Sequence, residues 1–371
     1  MKSRLGIDWL LVVFLLPVLL AGLVTMKSFT ESSPFFSHQL IWIGISFIAL
    51  FSLSFIDFRF LKRTEILVAI FGIFSGLLLL LFIFGHTSNG AQSWFSFGGF
   101  SFQPSDMMKL VVILMLAKYF SRRHVEIDNF KHIFISGLYA FIPFLLVFLQ
   151  PDFGSAIIIL FIWVGMTLVS GISRKYFLIL VMAGVIIFVG LWFFVFQTYQ
   201  KDRIINFVNP MTDIHGTGYN VYQSTIAVGS GQLLGKGVGF GTQSRLKFLP
   251  EYQTDFVFAA FVEEWGFVGA MLLFLLFGLI LWRILHISLL GATNFEILYG
   301  VGLSIYFMSH FIVNIGMNIG IMPVTGITLP FMSYGGSHLL TEFVGLGILM
   351  GMNRYSRIAH RDDMKNEFLG I

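Results

Sequence analysis

The sequence predicts an all-α, polytopic membrane protein with about ten transmembrane helices and a long extracytoplasmic loop between the seventh and eighth. Three observations predict it: an apolar composition, apolar runs of spanning length, and basic residues gathered in alternate loops. Hydrophobic residues make up 57% of the chain and charged residues 11%, and the mean hydropathy is +0.86. Soluble domains carry about 25% charged residues, so this balance excludes one. Runs of 17 or more mostly apolar residues recur along the chain. At about 1.5 Å per helical residue they suit a roughly 30 Å hydrocarbon core.

In order, the runs lie near 9–26, 36–55, 66–85, 104–120, 133–149, 154–171, 176–196, 256–282, 297–317 and 335–352. The first follows Met1-Lys2-Ser3-Arg4, a start that looks like a secretory signal. With nine further runs and no convincing cleavage site, it reads instead as a retained first helix. Lys109 interrupts the fourth run and Glu342 the tenth. The loop 197–255 separates the seventh run from the eighth, and a short charged tail, about 353–371, reads as a frayed end. With no repeat, low-complexity tract or soluble segment, residues 1–371 read as a single transmembrane domain.

Orientation follows from the basic residues. The N-terminus and every second loop hold sixteen of the 23, among them Lys2, Arg59, Lys62, Lys118, Arg174, Arg283 and Arg354. The short loops on the other side hold only Lys27. Both termini of this multi-pass protein are therefore expected in the cytoplasm and the long loop outside. The net charge of +4 reflects this bias and gives no reason to expect a nucleic-acid partner. The absence of cysteine excludes disulfides, thiol nucleophiles and thiolate metal sites.

Charges within spans are costly, which makes each a candidate for function. Asp106, Lys109, Asp152, Glu263, Glu264 and Glu342 all fall towards the outer ends of their runs. Asp106 and Lys109 are three apart and share a helix face. Structural ion pairs or helix caps explain any one of them; six on one side point to a polar, water-accessible cavity opening outward. The long loop contains Gly229-Ser230-Gly231 and Gly235-Lys236-Gly237-Val238-Gly239-Phe240-Gly241, with Lys236, Arg245 and Lys247 interleaved. Neither a dinucleotide fingerprint nor a P-loop fits these glycines, and no H-E-x-x-H pair or G-x-S-x-G elbow occurs. A flexible loop with solubilising charge is one reading; backbone amides and cations set for phosphate oxygens is the other. The loop ends on Leu249-Pro250-Glu251-Tyr252-Gln253-Thr254-Asp255-Phe256, two carboxylates four residues apart at the mouth of the eighth run. Thr254 or Asp255 is also well placed to cap the helix starting near Phe256.

The chain resembles the SEDS family (shape, elongation, division and sporulation) through nearly all ten runs. The residues that carry the resemblance are Gln103-Pro104-Ser105-Asp106 with Lys109, Gln150-Pro151-Asp152-Phe153-Gly154, the loop Gly235–Ser244, and Leu249-Pro250-Glu251 with Thr254-Asp255-Phe256. Glu263-Glu264-Trp265-Gly266, Pro323-Val324-Thr325-Gly326, Leu329-Pro330-Phe331 and Ser333-Tyr334-Gly335-Gly336-Ser337 complete the set, in family order and spacing. Gln150 favours the RodA-like, elongation branch. Three positions depart from the pattern: Ser93 stands where Arg is usual before Trp94, Asp106 where Glu is common, and Trp265 where Leu is common.

The resemblance implies a peptidoglycan glycosyltransferase that polymerises lipid II, the undecaprenyl-pyrophosphate-linked disaccharide pentapeptide, on the outer face. Lipid II is α-linked and the glycan β-linked, so one inverting displacement suffices. Asp255 is the candidate general base. Glu251, Lys109, Asp152, Lys236, Arg245, Lys247, Glu264, Trp94 and Ser333 are candidates for the substrate site. Asp255 and Glu251 are also candidate ligands of a divalent cation, Mg²⁺ or Mn²⁺. The implied partner is a class B penicillin-binding protein, a single-span transpeptidase. Rival readings are a transporter of lipid-linked precursors, whose site belongs near the midplane, another polyprenyl-phosphate glycosyltransferase such as an O-antigen ligase, and a scaffold without activity.

Overall fold

A computed structural model of the chain describes residues 7–28, 34–88, 91–97, 100–122, 130–194, 196, 198–208, 217–246, 248, 249 and 251–369. The protein is helical, as expected. In chain order the helices are α1 (Trp9–Ser28), α2 (Pro34–Ser54), α3 (Thr64–Phe84), α4 (Pro104–Ser121), α5 (Phe130–Leu149), α6 (Phe153–Val169), α7 (Arg174–Phe194), α8 (Thr198–Val208), α9 (Thr217–Ser230), α10 (Thr242–Arg245), α11 (Val257–Leu289), α12 (Asn294–Asn318) and α13 (Gly336–Leu369). Each apolar run falls on one of the longer helices. Among the described residues, seven of these are long and apolar enough to cross a membrane: α1, α2, α3, α5, α7, α11 and α12. α6 is shorter, with 17 residues, and α4 and α13 carry more charge.

Three features depart from the sequence reading. The outer connection between α3 and α4 folds as a small antiparallel sheet, with β1 (His86–Ser88), β2 (Ala91–Phe97) and β3 (Phe100–Phe102) in that order. The β-branched and aromatic preference of strands is met here by Trp94, Phe95, Phe97, Phe100 and Phe102. The loop 197–255 holds three helices, α8, α9 and α10. The charged tail continues α13 to Leu369 in place of a frayed end.

The core is organised around α4 and α12. α4 buries nearly every residue from Pro104 to Phe120, apolar and charged alike, and α12 is buried along most of its length from Phe295 to Asn318. A helix covered on all sides needs apolar or paired residues all round, which explains their lack of amphipathic character. α2 packs along α13, and α1 along α11. Small residues set the closest contacts, as expected where helices associate in lipid. Gly345 of α13 faces Leu303 and Leu110, and Gly302 of α12 faces Ile113 and Met166. α7 buries none of its residues.

α11 is broken at Gly266, whose φ of 68° and ψ of −168° leave the helical region. Glycine tolerates this left-handed φ, and a side chain there would run into the Gly235 amide. The break frees two carbonyls, and the glycine loop fills the gap. Lys236 N donates to the Glu263 carbonyl (2.9 Å) and Gly237 N to that of Glu264 (3.0 Å). In return, Phe267 N donates to Gln232 O (2.8 Å) and Val268 N to Leu233 O (3.1 Å). The loop is thereby stitched into the spanning helix.

Candidate functional site

The turn before α11 is a compact knot. Glu251 adopts a left-handed φ of 50°, an uncommon state for a residue with a Cβ. Its carbonyl accepts from Thr254 N (3.1 Å), Asp255 N (3.1 Å) and Phe256 N (3.2 Å). Its carboxylate is exposed and accepts the Thr254 hydroxyl (3.0 Å). Asp255 follows, half-buried.

The Asp255 backbone is anchored from a different helix. Two carboxamides one turn apart on α12 converge on its carbonyl: Asn314 Nδ2 at 3.0 Å and Asn318 Nδ2 at 2.9 Å. The Asn318 Oδ1 accepts Ala259 N at 3.0 Å. Neither Thr254 nor Asp255 caps α11: the cap position is Phe256, without a side-chain bond. The capping oxygen arrives from α12, which is the physical reason the expected local cap is not formed. Asn314 and Asn318 were not picked out in the sequence; two buried amides at i and i+4 in an apolar helix were the available signal. Asn318→Ala is expected to cost about 1–3 kcal/mol by leaving the buried Ala259 amide without a partner. It should lower the thermal unfolding midpoint more than Asn314→Ala, after which Asp255 O still has Asn318.

The segment after α12 closes over this turn. Ser333 donates to the Thr254 carbonyl (2.6 Å) and accepts from Leu329 N (2.9 Å). Tyr334 N donates to the Gln253 carbonyl (2.8 Å). Burial pushes the Tyr334 phenol above its ordinary value. Gln39 of α2 donates to the Ser333 carbonyl (3.1 Å). Gly326, with φ 71°, lies beside the catalytic candidate: a Cβ built there would be 3.6 Å from Asp255 Oδ2. Ser333 is therefore buried support for the Asp255 turn. Asp152 caps α6 through Ser155 N (3.0 Å) and accepts Gln103 Nε2 (2.8 Å), while Gln103 N donates to Ser337 Oγ (3.1 Å). Gly154 sits against the Thr325 carbonyl. Four sequence motifs far apart in the chain thus meet around one turn.

Beneath it lies a buried charged row. Lys109 Nζ donates to Asp106 Oδ1 (2.9 Å), and His338 Nδ1 contacts the same oxygen at 3.3 Å. His338 Nε2 lies 3.0 Å from Glu342 Oε1. Glu342 Oε2 accepts Phe331 N (3.0 Å), and Phe331 itself holds a left-handed φ of 62°. Asp106, Lys109, Glu263, Glu264 and Glu342 are at most 2% exposed. Asp106, Lys109, Glu263 and Glu342 are therefore paired in the protein interior, not around the water-accessible cavity the sequence suggested, and Glu264 is buried beside them without an ion pair among the described residues. His338 was missed; its i,i+4 spacing to Glu342 was visible.

Glu263 organises the glycine loop. Its Oε1 accepts Lys236 Nζ (2.7 Å), Thr242 N (2.9 Å), Thr242 Oγ1 (3.0 Å) and Gln243 N (3.1 Å). Glu264 Oε1 accepts Gly239 N (2.7 Å). The loop's glycines thus serve close approach to α11, and Lys236 is already neutralised there. Arg245 is exposed and makes no ion pair among the described residues. Lys247 lies outside the described residues. Trp94 is half-buried on β2, opposite His86, and no described contact joins it to the Asp255 turn.

Among the described residues, no three His, Asp or Glu side chains form a metal cluster. The carboxylates on offer at the turn are Asp255 and Glu251, a donor set that suits an ion drawing its other ligands from water and phosphate.

Known proteins resemble this chain in sequence and fold. A family model described as "cell cycle protein", covering FtsW, RodA and SpoVE, matches residues 5–358. Stage V sporulation protein E of Bacillus subtilis is 38% identical over 362 residues, covering 94% of this chain and 98% of that protein. Peptidoglycan glycosyltransferase MrdB of Escherichia coli is 39% identical over 282 residues, 76% of each. A solved chain from a peptidoglycan synthase complex, described as coordinating polymerization and crosslinking, superposes with a TM-score of 0.81 at 28% identity, over 94% of this chain and 98% of that one. The crystal structure of rod shape determining protein RodA from Thermus thermophilus gives 0.70 at 27% identity, over 94% and 97%. A family match over residues 5–358, nearly the whole chain, makes this protein a member of the FtsW, RodA and SpoVE family of cell cycle proteins.

Proposed function

We propose that the protein is a peptidoglycan glycosyltransferase that polymerises lipid II into glycan strands at the outer face of the bacterial cytoplasmic membrane, during wall elongation. The observation that carries this is the Asp255 turn: a half-buried carboxylate at the mouth of a spanning helix, fixed by backbone bonds to α12 and to the 329–334 segment. A base is useful only if it is held in one place relative to the hydroxyl it serves. Asp255 accepts the proton of the acceptor sugar hydroxyl as that oxygen attacks the anomeric carbon of the donor. The bond to the pyrophosphate breaks on the opposite face, undecaprenyl pyrophosphate leaves, and α configuration becomes β. The leaving group needs neutralising charge more than a proton. Arg245 is an exposed cation of the glycine loop and serves that need. A Mg²⁺ or Mn²⁺ held by Asp255 and Glu251 would supply the same neutralisation.

Elongation rests on Gln150, the residue that favours the RodA-like branch, whose buried amide bonds the Leu78 carbonyl (2.6 Å). A class B penicillin-binding protein is the proposed partner, since the similar synthase complex couples polymerization with crosslinking. The test uses purified protein with labelled lipid II and Mg²⁺ or Mn²⁺, with a chelated arm, followed by separation of products on a gel. Polymer is expected. No polymer even with the transpeptidase present, together with movement of labelled lipid across vesicles, would overturn this reading in favour of transport.

A further inference from the structure

A cleft opens at the end of the bundle opposite Asp255, among the turns that the charge bias assigns to the cytoplasm. It has a volume of about 390 Å³ and lies between the turn before α3, the last turn of α4 and the connection from α11 to α12. Two lysines line it, Lys62 and Lys118. Lys62 is compensated, with Nζ 2.8 Å from Glu296 Oε1. Lys118 donates to the Lys62 carbonyl, and no carboxylate among the described residues pairs with it. An ammonium has three protons to give, so each lysine keeps donors for a further acceptor.

The opposite wall is equally set for an anion. It is the N-terminus of the 25-residue α12, where amides and the helix dipole favour negative charge. Thr293 stands at the cap position but makes no side-chain cap bond. Its hydroxyl is buried without a hydrogen-bond partner, and the residue lines the cleft. Glu296 has taken over the capping, accepting Ala292 N at 2.9 Å. Two lysine ammonium groups and the N-terminus of α12 therefore line one space from two sides.

We propose that this cleft binds a phosphate-bearing anion. The spans around it begin and end at Thr64, Ser121 and Asn294, which puts it at headgroup level. Basic pockets between spans on this side suit anionic lipid headgroups, and a free phosphate has the same chemistry.

The test uses full-length protein in detergent, titrated separately with phosphatidylglycerol, with phosphatidylcholine and with inorganic phosphate. Native mass spectrometry counts bound lipid and thermal unfolding reports protection. Phosphatidylglycerol is expected to bind and stabilise where phosphatidylcholine does not. Lys118→Met, which keeps the apolar stem, should weaken its binding roughly fivefold or more. Lys118→Gln, which keeps a donor for the Lys62 carbonyl but loses the charge, should weaken it too, and it decides the matter should Lys118→Met fail to fold. Protection by inorganic phosphate that is lost in the same variants identifies a free anion as the ligand; protection by the lipid alone identifies the headgroup. Equal binding of wild type and both variants, or no preference for phosphatidylglycerol over phosphatidylcholine, overturns the site.

Discussion

Asp255→Asn is expected to abolish glycan polymerisation from lipid II while leaving the fold intact. The amide matches the carboxylate in shape, and three bonds that hold this turn reach backbone carbonyls: Asn314 and Asn318 bond that of Asp255 and Ser333 that of Thr254. What the substitution removes is the capacity to take a proton. General-base catalysis contributes about 10²–10⁴-fold, so polymer on a gel should fall by at least the lower figure. Thermal unfolding in detergent should stay close to that of the wild type. Undiminished polymerisation would remove Asp255 from the mechanism, whereas a large loss of stability would show that the carboxylate itself holds the turn.

Glu263→Ala should give the largest loss of stability. One oxygen of Glu263 gathers Lys236 Nζ, Thr242 N, Thr242 Oγ1 and Gln243 N, and the residue is fully buried. Removing one member of a buried pair costs about 3–5 kcal/mol, because the remaining charge and amides lose their partner out of reach of water. Glu263→Gln keeps an acceptor for the amides but not the charge for Lys236, and should fall between. Lys236 is 29% exposed, so its release into solvent will soften both effects. The measurement is the thermal midpoint of the three proteins in one detergent. A midpoint for Glu263→Ala equal to that of the wild type would mean that the loop folds without this carboxylate. Polymerisation should fall with it, since the loop also carries Arg245.

The spans were legible because hydropathy is a local property: any run that long and that apolar has to leave water. The Thr254-Asp255-Phe256 segment stood out in the sequence only through its family pattern. The cap was misplaced because local spacing favoured Thr254 or Asp255, whereas the acceptor for Ala259 N comes from Asn318, 59 positions away. The outer sheet was missed because its short strands alternate weakly amid glycine.

By itself, the sequence determined that the chain lives in a membrane, which loops carry its positive charge, and which family motifs it holds. Only the tertiary structure decided what each polar residue does. Gln103 meets Ser337 across 234 positions, and Lys236 meets Glu263 across 27. A buried charge takes its role from the partner that neutralises it, and that partner is chosen by packing. So Lys236, which read as a cation open to phosphate, is tied to α11. Asp255 keeps its place because α12 and the 329–334 segment hold its backbone.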